Sequence, residues 1–406
     1  YLKGHNERYP VEQLQMQLFG DRPTQFVETP FSGEDGAVST LHDGKLYRTA
    51  TAKITLDGKT ASASRRIRLE QADVRMTRRI LQQSYYLAAM QLLPETPPWG
   101  ALSGVRPTKL ATKVLLSGGS EKDAERMLRD VYFVTPERRR LCLDASRHTL
   151  EAARLLEPND LSVYIGIPFC PTRCAYCSFV SESVERFGEF LPPYLDCLLR
   201  EIEYTGALLR RSGWHLRSLY MGGGTPTTLS TPQMARLLDA IRGSFDLSRC
   251  LEFTVEGGRP DTLDLEKLKT IRAGGATRMS INPQTMSDSV LKAIGRRHTA
   301  AQTVEAFRLA QEAGFDDINM DLIAGLPGDT PESFAASVEQ VLALGPGNVT
   351  VHTLALKKGA DLFQKRVTLP TRADVAEILS ASERQLRKAA FEPYYLYRQK
   401  YMSGSF

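Results

Sequence analysis

The second part of this chain is predicted to be α/β, a parallel sheet with helical crossovers. From residue 161 onward strand, loop and helix alternate six times. Each candidate strand is followed by a polar, glycine-rich or cysteine-rich stretch, as an active face at the carboxyl ends of parallel strands requires. Residues 1–156 differ: strand-like segments precede helical periodicity, which predicts a separate N-terminal α+β domain. The expected divisions are 1–156, 157–360 and a C-terminal extension at 361–406. The chain opens at Tyr1 and stops at Phe406 in mid-pattern, as a fragment would.

Composition bounds the reading. The chain has 406 residues, 42% hydrophobic and 24% charged, in the ordinary globular range. No stretch approaches the roughly 20 apolar residues of a membrane span, so no membrane partner is expected. Six cysteines in so long a chain do not suggest a disulfide scaffold. A reducing cytoplasm is the expected setting, where clustered thiols serve as metal ligands or catalysts. The net charge of +5 is uneven: residues 1–156 hold 24 Lys/Arg against 18 Asp/Glu, the remainder 28 against 29. The crowding of Arg65, Arg66, Arg68, Arg75, Arg78 and Arg79, and of Arg138, Arg139 and Arg140, reads as solvated helix faces. The competing reading is an anionic partner, and a substrate with several carboxylates is favoured over nucleic acid.

In chain order, "AVSTL" and "KLYRTATAKITL" flank His42-Asp43-Gly44, a hairpin signal. Helical periodicity covers 71–93 and ends at "PETPPWG"; further helices are expected near 107–117, 120–130 and 136–156. "EPND" at 157–160 reads as a hinge. The strands then expected are Ser162–Ile167, Leu216–Met221, Leu251–Val255, Arg278–Ile281, Asp317–Leu322 and Val349–Leu354, with helices such as Phe187–Arg211, Thr231–Gly243 and Ala301–Ala313 between them. Six such units fit an open partial barrel as well as a doubly wound sheet.

After the first of these strands come Cys170, Cys174 and Cys177, spaced Cys-x3-Cys-x2-Cys. A structural zinc site needs four protein ligands, and no second Cys-x2-Cys is present. An iron–sulfur cluster ordinarily takes four thiolates. Three leave one iron open to a small chelating molecule, and the amino and carboxylate groups of S-adenosylmethionine suit it. An electron passed into the sulfonium would yield a 5′-deoxyadenosyl radical, the cofactor doing the chemistry and the protein the placement. Cys142, Cys197 and Cys250 lack such company and are expected to be small core residues.

The other strand ends carry candidate ligand groups. Gly222-Gly223-Gly224-Thr225-Pro226 lets backbone approach a bound molecule closely; alone such a run is more often a turn. Glu256 could accept from ribose hydroxyls or pair with an ammonium. Gln284 offers an amide. Of Arg296 and Arg297, one could clamp a carboxylate and the other be solvated. Asp321 sits in an apolar run and needs a partner, a ribose hydroxyl or Arg296. His298 and His352 are acid–base candidates or structural histidines.

The cysteine spacing, the aromatic Tyr176 before the last cysteine and the preceding strand resemble the signature of radical S-adenosylmethionine enzymes. The order Tyr164-x-x-Ile167-Pro168-Phe169-Cys170, Gly-Gly-Gly-Thr-Pro, Glu256, Gln284, Arg296 and Asp321-Leu-Ile-x-Gly-Leu-Pro resembles, more narrowly, the oxygen-independent coproporphyrinogen III oxidase group and its HemZ-type branch. The likeness covers roughly 161–360, with weaker likeness at "SGVRPTKL" and "PYYLYRQKYMSG". It implies a partial (β/α)6 TIM-like barrel of the radical SAM type. It implies that Cys170, Cys174 and Cys177 hold a [4Fe-4S] cluster. It further implies that Tyr164, Tyr176, Gly223, Gly224, Thr225, Glu256, Gln284, Arg296, Asp321 and Ala355 contact or lie near one or two S-adenosylmethionine molecules. The implied activity is oxidative decarboxylation of the propionates of coproporphyrinogen III to vinyls in haem biosynthesis, with an electron donor such as flavodoxin or ferredoxin. Relatives on the same scaffold imply an alternative, a haem-binding chaperone with His298 or His352 as axial ligand, or another radical reaction on a tetrapyrrole. The sequence departs from better-known members at Gly166 (His there), at Pro283 (Val-Gln there) and at Gly258-Arg259-Pro260 (Asp-Pro-Arg there), and most of the C-terminal region that helps enclose the porphyrinogen is absent. These departures bear on the substrate and leave the cysteine motif intact.

Overall fold

The computed structural model describes all residues except 21–23, 30–34, 105, 358, 366 and 399–406. Val105 of "SGVRPTKL" and the end of "PYYLYRQKYMSG" thus lie outside the described residues. The chain divides into two compact units, Tyr1–Ala152 and Ala153–Phe391, with residues 392–398 belonging to the first.

The first unit is α+β. A short strand β1 (Leu2–Lys3) pairs with β2 (Gly36–Asp43), and β2, β3 (Tyr47–Leu56) and β4 (Lys59–Arg68) form an antiparallel meander. Helices Arg8–Leu18 and Val74–Ala89 bury Leu14, Tyr85, Ala88 and Ala89 in one core with Ala52 and Ile54 of the sheet. Arg65, Arg66 and Arg68, expected on a helix, are on β4, while Arg75, Arg78 and Arg79 are on the helix. The strand is entered through Asp57-Gly58, both at positive φ (48° and 75°), as a tight hairpin turn demands.

The second unit contains the six expected strands as β5 (Asp160–Ile167), β6 (His215–Gly223), β7 (Glu252–Glu256), β8 (Arg278–Ser280), β9 (Asp317–Ala324) and β10 (Asn348–Thr353). All neighbours are parallel, and the spatial order β10-β9-β8-β7-β6-β5 follows the sequence without reversal. A doubly wound sheet reverses at a switch point. This sheet does not, which decides for the open partial barrel. The helices between strands begin abruptly on reciprocal caps, Ser230 with Gln233, Thr299 with Gln302 and Thr330 with Ser333.

The strands alternate over much of their length, with breaks at the register shift beside Leu161–Ser162 and at the buried run Leu322-Ile323-Ala324. Ile165, Ile167, Leu219, Met221, Phe253, Val255, Met279, Ile318, Met320 and Leu322 are buried together with residues of the flanking helices in the main core. Each such side chain contributes about 1.5–3 kcal/mol on burial. The intervening residues are polar and bond to one another: Ser218 to Ser162 at 2.6 Å, Tyr220 to Glu256 at 2.8 Å, Asn319 to Ser280 at 2.7 Å and Thr350 to Asn319 at 3.0 Å. Arg278 is bracketed by Glu252 and Asp317, each at 3.4 Å. Parallel sheets are usually apolar on both faces. A polar second face is what a sheet surrounding a polar ligand would carry.

Candidate active site

The cysteine loop is tied down along its length. Thr225 N and Gly224 N donate to the carbonyls of Phe169 and Ile167 at 2.7 and 2.8 Å. Ala175 N donates to Ile294 O at 3.0 Å, and Ala175 O accepts from Leu362 N at 3.0 Å. Phe169–Cys170 pairs in parallel with Glu182–Ser183. The three cysteines are partly exposed and free. Burial pushes the Cys177 thiol up.

The glycine loop makes this closeness possible. Gly223 has φ +116°, and a Cβ on Gly224 would lie 2.5 Å from Phe169 O. A Cβ on Gly222 would lie 2.7 Å from both Glu256 Oε2 and Tyr220 Cε1, so this glycine leaves room for the carboxylate. Thr225 Oγ1 is 3.5 Å from Cys170 Sγ. Tyr164 stacks on Tyr220 with ring centroids 5.9 Å apart and planes 10° apart. Tyr164 itself is 62% exposed, open to a ligand.

Glu256 is no surface charge. Burial, the largest influence, pushes its carboxyl up to about 7, Asp321 adds to this, and the bond from Tyr220 offsets only part. A Glu carboxyl in an unfolded chain titrates near ~4.3. The ligand-free protein therefore has this contribution in full below that value and loses it as pH rises through about 7. Relative to Glu256→Gln, the wild type should lose up to about 3 kcal/mol of unfolding free energy between pH 5 and pH 8. Urea titrations at those pH values check this, and a constant difference between the two proteins would refute it.

Within the protein Asp321 is partnered by His352, Asn319 and Thr350 rather than by Arg296. Burial works to raise its carboxyl, but His352, Asn319 and Thr350 outweigh that and hold it below the usual range. Asn319 Nδ2 donates to it at 2.8 Å, and His352 Nε2 lies 3.8 Å away. Arg296 instead donates to the carbonyls of Gly258 and Asn282 at 3.0 and 2.9 Å and to the Tyr176 hydroxyl at 3.0 Å. Its Nε and the Oε1 of Gln284 are buried without hydrogen-bond partners among the described residues. Gln284 is held at φ +69° by a bridge to Leu322, an uncommon conformation for a residue other than glycine. Arg297 is exposed and pairs with Glu185 at 2.7 Å. The His298 side chain is fully buried, and Ala355 is half-buried in the stretch after β10. Of the other cysteines, Cys142 is buried and Cys250 partly so, but Cys197 is exposed on helix Leu191–Ser212, contrary to the core placement expected of it.

These residues fit an iron–sulfur cluster with S-adenosylmethionine better than a single ion. Zinc with sulfur ligands at about 2.3 Å needs sulfurs about 4 Å apart. Among the described residues, the set of three His, Cys, Asp or Glu ligand atoms converging within 4.8 Å is Glu157, Asp160 and His215, not the three thiols. That other set is already neutralised: Arg249 bonds to Glu157 and His215, and Arg217 lies 3.5 Å from Asp160. The orphaned Gln284 Oε1 lies just after β8, and Arg296, beyond the helix Asp288–Ala293, reaches back to the Asn282 carbonyl after the same strand; the two orphaned atoms suit a ligand with amino-acid and ribose groups.

Residues 164–341 match the radical SAM superfamily. This stretch is a radical SAM domain. Such domains use a [4Fe-4S] cluster and S-adenosylmethionine. The chain is 37% identical to the oxygen-independent coproporphyrinogen-III oxidase-like protein HemZ of Bacillus subtilis (strain 168), over 76% of this chain and 63% of that one. It is 36% identical to the heme chaperone HemW of the same organism, over 53% of this chain and 57% of that one. The radical SAM domain also resembles the solved coproporphyrinogen III oxidase HemN of Escherichia coli, with TM-score 0.52 and 30% identity, over 59% of this chain and 55% of that one. The chain thus spans a little over half the length of these relatives. Among the described residues no helix is long and apolar enough to cross a membrane.

Proposed function

We propose that the protein is a coproporphyrinogen dehydrogenase-like radical SAM enzyme. The observation that carries this is the single strand-end face on which the cysteine loop, the glycine loop and Glu256 stand together, in a domain whose relatives carry coproporphyrinogen oxidase names. Cys170, Cys174 and Cys177 would hold the cluster. Gly223, Gly224 and Thr225 would present backbone to S-adenosylmethionine, Gln284 and Arg296 would receive its polar groups, and Tyr164 and Ala355 would lie beside it. When bound, the pair supplies a hydrogen-atom abstractor strong enough for an unactivated C–H bond. Glu256 would hold ribose hydroxyls or an ammonium, and Asp321, braced by His352 and Asn319, would do the same on the next side of the site. The substrate would lose one β-hydrogen atom from a propionate, then one electron to an acceptor and carbon dioxide, leaving a vinyl group; two rounds convert two propionates. The setting would be a reducing cytoplasm, with flavodoxin or ferredoxin as electron donor.

The HemW relatives support a second reading, haem delivery on the same scaffold. His298, completely buried, is not presented to a haem, and His352 is engaged with Asp321. One anaerobic incubation decides. Reconstituted protein with coproporphyrinogen III, S-adenosylmethionine and reductant should form protoporphyrinogen with two equivalents of 5′-deoxyadenosine. Tight haem binding without any turnover of the porphyrinogen would favour delivery instead.

A further inference from the structure

Two buried arginines adjoin the cysteine loop, and only Arg296 has a part in the reading above. Arg259 is 2% exposed. Its Nε and Nη2 form a two-pronged pair with the carboxylate of Asp261 at 3.0 and 2.8 Å. Its Nη1 donates to Thr172 Oγ1 at 2.6 Å and to the Thr172 carbonyl at 3.4 Å. Thr172 lies between Cys170 and Cys174, so this guanidinium joins the loop after β7 to the middle of the cysteine loop. The planar fork is well shaped for such a bridge, because the carboxylate fixes two N–H groups and thereby aims a third.

The charges point the same way. Arg259 and Arg296 bring two buried positive charges, and Asp261 supplies one negative charge between them. His298, buried alongside, adds none near neutral pH, because burial and then Arg296 push it down to about 4. An unpaired buried charge is costly. Cys174 lies within electrostatic reach of Arg296, and the thiols of this loop bind metal as thiolates.

We infer that Arg259 is a positioning residue for the cysteine loop: braced by Asp261, it holds Thr172 in place, and with Arg296 it leaves one buried positive charge in excess of Asp261 to balance the thiolates of the bound cluster. The inference rests on the reading of the loop as a cluster site. Lysine keeps the charge without the fork, and Thr172→Val removes the contact without the charge.

The test compares the full-length wild type with Arg259→Gln, Arg259→Lys and Thr172→Val. In cluster-free protein, hydrogen exchange of backbone amides 170–177 should be at least tenfold faster in Arg259→Gln and Thr172→Val, with helix Ala300–Glu312 unchanged. After anaerobic reconstitution, a chelator should strip iron at least tenfold faster from both. The midpoint potential should move to more negative values in Arg259→Gln and stay near wild type in Thr172→Val and Arg259→Lys. Wild-type exchange and iron release in Arg259→Gln would overturn the inference, as would a potential unchanged by loss of the charge. Should Arg259→Gln not fold, the lysine and valine variants decide: wild-type exchange and iron retention in both would overturn it. Should the wild type take up no cluster, the proposed function fails, while the exchange measurements still decide whether Arg259 holds the loop.

Discussion

Replacing any one of Cys170, Cys174 and Cys177 with alanine is expected to leave a folded protein that binds little iron and cleaves S-adenosylmethionine at least a hundredfold more slowly. The fold should survive because the loop is fastened by backbone bonds that do not involve the sulfurs, to Gly224, Thr225, Ile294 and Leu362. The function should not, because two thiolates cannot replace three at a cluster that already gives up one protein ligand. Cys197→Ala and Cys142→Ala are the controls. Cys197 is exposed and Cys142 buried in the other unit, and neither should alter iron content. Iron and sulfide analysis with turnover of S-adenosylmethionine checks each variant. A single cysteine whose loss leaves iron content intact would remove it from the ligand set.

Gly224→Ala is expected to weaken S-adenosylmethionine binding at least tenfold while the cysteines remain in place. The added Cβ would meet Phe169 O at 2.5 Å and Phe169 N and C at 2.9 Å, all backbone atoms that cannot rotate away. The glycine loop must then peel from the cysteine loop. That breaks the bonds from Gly224 N to Ile167 and from Thr225 N to Phe169, each worth about 1 kcal/mol net. It also carries Thr225 away from Cys170 and Gly223 away from the ligand face. Gly243→Ala is the matched control, since Gly243 lies in helix Thr231–Ser244 with nothing within 4 Å of the added methyl. There alanine should be neutral or slightly stabilising, by up to about 1 kcal/mol. Calorimetric titration of S-adenosylmethionine into both reconstituted variants checks the pair, and equal affinities would contradict the packing argument.

The barrel strands were legible because their residues alternate with period two and each ends in a marked loop. The cysteine and glycine loops were legible because their spacing is local. What the sequence hid was set by contacts distant along the chain. In the sequence Arg259 stands out only as part of a departure from the family pattern, and its bond to Thr172, far upstream, comes from the fold. The partner of Asp321 comes from the next strand, where Asp321 faces Thr350 in register and His352 lies two residues on. The strand Lys59–Arg68 was masked by its charges, which its hairpin turn sets on a sheet rather than a helix.

Anaerobic purification followed by iron analysis and electron paramagnetic resonance, with and without S-adenosylmethionine, tests the account most directly. It predicts about four irons per chain held by three cysteines, and a reduced-cluster signal that changes when S-adenosylmethionine is added. One tetrahedral zinc bound by these sulfurs, or a cluster signal indifferent to S-adenosylmethionine, would contradict it.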